Sequence, residues 1–173
     1  MRLLALTGAL LAALVLVGCG SPAGAGDGGG GGRDGGGRGS DSGSIADYPV
    51  YTTVDDLFAR ADLVVEGVPG DGADRAFEGV AYTVYEVEVS RVWKGVVKPG
   101  DVVDVKRVRD EEQQFDAGKG YLLFLESYPD FPGIPASTLN PEQGQYPLDA
   151  AGPPVSLPGN ALRVTAADLA RLG

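Results

Sequence analysis

The candidate residues for chemistry in this chain are carboxylates, hydroxyls and aromatic rings, because imidazole is missing and thiol nearly so. The 173 residues contain no histidine and a single cysteine, Cys19. That excludes Cys/His zinc sites, thiol catalysis in the folded part, Ser-His-Asp triads and internal disulfides. Ser137, Thr138 and Ser156 have no imidazole base, and no Ser-x-x-Lys arrangement occurs. The acidic groups Asp55-Asp56, Asp71 with Asp74, and Asp110-Glu111-Glu112 lack the alternating oxygen ligands and distal glutamate of an EF-hand loop. Solvated loop acids account for them, with a weak calcium-dependent module as an alternative. Glu86 and Glu88 share one strand face, but a paired-carboxylate hydrolase needs two acids converging across a cleft in contrasting environments. No catalytic residue, metal or cofactor is assigned.

Aromatic side chains are the other chemical handle. Tyr82, Tyr85, Trp93, Tyr121, Phe124, Tyr128, Phe131 and Tyr146 would make a stacking platform if they lay exposed on one face. Periodicity assigns most of them to a core. Tyr128 and Phe131 differ, since they sit in a proline-rich segment where no strand is expected to bury them, and loops on a rigid scaffold carry recognition. They are the expected partner contact, the alternative being that they pack the loop against the domain. Residues 45–173 hold 21 acidic and 11 basic side chains, the wrong sign for a phosphate backbone, so no nucleic-acid partner is expected.

The elements that carry these residues follow an N-terminal address. Met1-Arg2 is a short positive region, and Leu3 to Val17 is an uncharged run of 15 residues. Crossing the hydrocarbon takes ~20 apolar residues, so this run suits a signal peptide better than a permanent anchor. It ends in Leu16-Val17-Gly18-Cys19, which resembles the lipobox of bacterial lipoproteins. The resemblance implies cleavage before Cys19 and lipid on its thiol, often with acylation of the new amine. Each buried methylene adds ~0.8 kcal/mol, so two or three chains hold firmly where one is marginal. Residues 1–18 are thus read as a signal peptide and 19–45 as a lipidated cysteine with its tether. Thirteen of the 28 glycines fall within residues 20–45, a coil with a reach of ~25–30 Å.

Residues 46–173 read as one small β-barrel with a helix at each end. Thr53 caps a helix through Arg60, with Asp55 and Asp56 in its first turn. Residues 62–68 form a first strand, stopped by Pro69-Gly70, and 70–79 read as a polar loop. From Val80 to Trp93, Tyr85, Val87 and Val89 alternate with Glu86, Glu88 and Ser90. A bulge near Ser90-Arg91 would return Val92 to the interior. Val102–Lys106 is a third strand, and Tyr121–Leu125, apolar on both faces, must be covered on both sides. Eight prolines between Pro129 and Pro158 leave room for one further strand, around 144–149. Thr165 opens a last helix ending at Gly173.

Arg60-Ala61-Asp62-Leu63-Val64-Val65-Glu66-Gly67, Tyr82-Thr83-Val84, Val92-Trp93-Lys94-Gly95, Gly100-Asp101-Val102-Val103-Asp104-Val105 and Gly118-Lys119-Gly120-Tyr121-Leu122-Leu123-Phe124-Leu125 together resemble the netrin-like domain pattern. That family includes the tissue inhibitors of metalloproteinases. The resemblance covers about residues 57–128 and implies a mainly β fold, a small five-stranded OB-like barrel with short helices before and after it. Its inhibitors are stapled by disulfides and use a free N-terminal cysteine, neither of which this domain offers, so no inhibitory residue carries over.

The expectation is a lipid-anchored module on the extracytoplasmic face of the cell membrane, binding or displaying a protein or glycan partner without chemistry, and monomeric. The alternative from another class is a carboxylate-dependent hydrolase acting on envelope polymers.

Overall fold

The computed structural model describes residues 48–149 and 153–173, so Leu16, Val17, Gly18, Cys19 and the tether lie outside the described residues. The fold is mainly β. Helix α1 (Val54–Arg60) precedes strands β1 (Leu63–Phe77), β2 (Val80–Lys94), β3 (Val102–Val108), β4 (Tyr121–Glu126), β5 (Ala136–Thr138) and β6 (Gln145–Pro147), and α2 (Ala166–Leu172) ends the chain. The strands hydrogen-bond in the order β1-β2-β3-β5-β4, and β4 pairs back onto β1. Five strands therefore close a ring, the OB-like barrel expected. All pairings are antiparallel except β3 with β5.

Two apolar layers share the β1 and β4 strands, whose alternate residues point to opposite sides. Inside the ring lie Leu63, Val65, Val87, Val105, Leu123 and Leu125, among others. Outside it, Val64, Leu122 and Phe124 pack under Leu57 and Phe58 of α1 and Leu169 of α2. This double cover explains why β4 has no polar face. Thr53 caps α1 by accepting from the Asp56 N–H, and Thr165 forms a reciprocal capping box with Asp168. The Arg171 guanidinium grips both oxygens of Asp55 at 2.8 and 2.9 Å, joining the two helices.

The alternation slip near Ser90 is a bulge: Glu66 pairs Arg91 while Gly67 pairs Val89, leaving Ser90 unmatched. Its hydroxyl donates to the Glu66 carbonyl, and Val92 returns to pack on the interior layer. At the end of β2, Gly95 adopts a φ of 112°, and a β-carbon there would strike Leu63.

Three expectations need correction. Strand β1 does not stop at Pro69-Gly70, and 70–79 is not a loop. The pairing jumps from Pro69↔Val87 to Gly72↔Tyr85, so the proline sits at a bulge, where a missing N–H costs the ladder nothing. The ribbon then runs to Phe77↔Val80, turning on Glu78 and Gly79, both at positive φ. The ring's fifth strand is β5, in the proline-rich segment, whereas the expected strand around 144–149 is β6. The latter pairs Tyr121–Leu123 of β4 outside the ring. Finally, β3 continues past Lys106 to Val108, which brings Arg107 inside.

Candidate functional site

On β3, Val105 and Arg107 point into the barrel, so Asp104, Lys106 and Val108 face outward on the sheet they share with β2. Lys106 lies opposite Val84, and Tyr82 opposite Val108. The Lys106 ammonium sits 4.6 Å from the ring centre of Tyr128, 5.2 Å from that of Tyr82 and 5.8 Å from that of Phe77. These three rings come from the β4–β5 loop, the start of β2 and the end of β1. The sheet, the two-residue turn and the loop thus bring together residues up to 51 positions apart in sequence. Among the described residues, the ammonium has no hydrogen-bond or ion-pair partner. Burial draws its pKa below the ordinary lysine value, against the opposing pull of Glu126 and Glu78.

Tyr128 and Phe131 are placed differently. The Tyr128 hydroxyl is 2.6 Å from Ser137 Oγ on β5, which fixes the ring over Lys106. Burial raises its pKa. The Phe131 backbone N–H bonds the Tyr128 carbonyl at 3.0 Å, so a turn separates them, and Phe131 is 60% exposed. Tyr128 packs on the barrel while Phe131 projects from it.

Toward the other end of this face, Glu86 and Glu88 point outward from β2 and line an open groove of about 570 Å³ with Val68, Asp71 and Val102. Both glutamates are exposed. Of the remaining acidic groups, Asp55 holds Arg171, Asp74 pairs with Arg109, and Asp104 lies 3.9 Å from Arg75. Among the described residues, no three carboxylates converge to hold a metal ion.

The sequence reading missed two residues. Arg107 is 2% exposed, its guanidinium donating to Thr138 Oγ1 at 3.0 Å and lying 5.5 Å from the Phe115 ring centre. Its second terminal nitrogen faces Glu111 Oε2 at 3.4 Å without hydrogen-bond geometry, and Glu111 in turn accepts from the Tyr48 hydroxyl at 2.7 Å. Burial lowers the Arg107 pKa, with Glu111 opposing. The signal was available, because continuing the Val103, Val105 alternation puts Arg107 inside. Lys106 carried no comparable signal, since its collar is assembled by contacts distant in sequence. The chain matches no protein-family model and no curated protein.

Proposed function

We propose that this protein is a lipid-anchored, extracytoplasmic binding module that engages a protein or glycan partner without catalysing a reaction. The observation that carries this reading is the aromatic and cationic cluster of Lys106, Tyr82, Phe77 and Tyr128, flanked by the exposed Phe131. Rings on a rigid barrel offer contact area at small entropic cost, and aromatic side chains dominate binding energies at interfaces. The leader and Cys19 support the address, with lipid on the thiol as the attachment to the membrane. The net charge of −10 argues against a nucleic-acid partner. The non-catalytic half of the reading rests on the exposure of Glu86 and Glu88, which share one wet environment rather than contrasting ones. The test is capture of partners from the native envelope by the tethered protein, comparing wild type with Tyr128→Ala/Phe131→Ala after circular dichroism confirms folding. Loss of specific partners supports the reading, and full retention refutes this face.

A further inference from the structure

Among the described residues two lysines lie over aromatic rings, and they are satisfied differently. Lys94 Nζ is 5.4 Å from the Phe58 ring centre but also donates to the carbonyls of Phe58 and Ala59 at 2.8 and 3.0 Å, closing the end of α1. Lys106 has three rings and, among the described residues, no hydrogen-bond or ion-pair partner, with Glu126 and Glu78 acting on it only from beyond contact distance. A half-buried ammonium with unused donors is costly unless something offsets its lost hydration, and ring faces offset only part of it. The rings hold the charge at one point on the surface, as a pre-organised receptor for an anionic oxygen group.

We propose that Lys106 and its collar form a subsite for a carboxylate carried on a sugar ring, that is, for a uronic-acid-type unit of a glycan. This rests on the binding reading above and names the ligand class of the same face. Two observations select the carrier. At Lys106 both edges of β3 are taken, by Val84 of β2 and Ser137 of β5, so no main-chain edge is free to pair with a peptide. What remains on offer is side-chain chemistry: one ammonium for the carboxylate, and rings for the apolar face of a pyranose. The overall negative charge disfavours densely charged polyanions, so a carboxylate set in an otherwise neutral unit fits best. The ammonium and carboxylate make a charge-assisted hydrogen bond, and no covalent step is involved.

The test is isothermal titration calorimetry of the full-length protein in neutral detergent micelles, using the methyl glycoside of galacturonic acid, which carries one carboxylate, and its methyl ester as probes. Esterification removes the charge and keeps the ring. The acid should bind at least about tenfold more tightly than the ester, a preference that fades with added salt. Lys106→Met should bring the acid down to the level of the ester, while Lys106→Arg should keep the preference. Tyr82→Ala should weaken both probes. The acid-against-ester comparison needs no variant, so a misfolding substitution does not remove the test. No binding of the acid at millimolar concentration, equal binding of the two probes, or an acid preference that survives in folded Lys106→Met would each overturn the subsite. Binding to phosphatidylglycerol vesicles in place of the acid would also overturn it, as lipid phosphate would then be the anion. Failure here with partner capture still sensitive to Tyr128→Ala/Phe131→Ala removes only the ligand class. Capture insensitive to that double variant removes the face itself.

Discussion

Glu111 Oε2 lies 3.4 Å from a terminal nitrogen of Arg107, a residue whose side chain is 1% exposed. Tyr48 reaches the same carboxylate from the segment that leads into α1. The cost of a buried charge is set by its partner, so deleting the partner is worse than deleting the charge. Glu111→Gln should destabilise the domain by about 3 kcal/mol, because it removes the carboxylate facing Arg107 and leaves only Thr138 and the Phe115 ring to hold a buried charge. Arg107→Met, which fills the volume without a charge, should cost clearly less. Urea unfolding of the two variants decides it, and the reverse order would mean that Arg107 is solvated in solution.

Leu123 is fully buried inside the ring and lies opposite Val65 on β1. Leu123→Ala should cost ~2–5 kcal/mol through lost burial and a residual cavity. Against a total of ~5–15 kcal/mol, that approaches unfolding. A loss below ~1 kcal/mol would contradict the observed register.

Stability should fall at both ends of the pH scale. The Thr165 hydroxyl, then its backbone N–H, hold the Asp168 carboxyl below its ordinary value, and Arg171 does the same for Asp55. Depressed carboxyl values give stability that is complete above about pH 4 and lost as pH falls through the lowered values. At the alkaline end, burial raises Tyr51, Tyr85, Tyr128 and Tyr146, and burial with the Glu111 contact raises Tyr48 most steeply. Raised values give stability that is complete below the ordinary value of 10.0 and lost as pH climbs past it. The tyrosinate absorbance of these five residues should therefore rise in one cooperative step, together with loss of circular dichroism. Ionisation of Tyr48 or Tyr146 near the ordinary value in a still-folded protein, read by the change in absorbance lost in Tyr48→Phe or Tyr146→Phe, would contradict the burial.

Cys19→Ser should leave the protein unprocessed or freely secreted, since no other thiol can accept lipid. Unchanged partitioning of that variant into a detergent phase would contradict the lipid anchor.

What the chain's own pattern revealed was local. Thr53 and Thr165 announced both helices, the two-faced apolar run marked β4 as covered on both sides, and broken alternation located the bulge at Ser90. What stayed hidden depends on partners far away. Pro69-Gly70 reads as a stop unless the bulge opposite Val87 is known. Strand β5 has three residues among prolines and exists because β3 and β4 flank it. Tyr128 was identifiable as an aromatic in a loop, but its place over Lys106 depends on Ser137 of β5. The candidate site was therefore legible as single residues and not as a cluster.

On the proposed reading, the face built by Lys106, Tyr82, Tyr128 and the projecting Phe131 takes a partner. The most direct measurement compares what the tethered wild type and the folded Tyr128→Ala/Phe131→Ala variant capture from the native envelope. Specific partners should disappear with those two rings while circular dichroism is unchanged. Capture of every partner by the folded variant would contradict it.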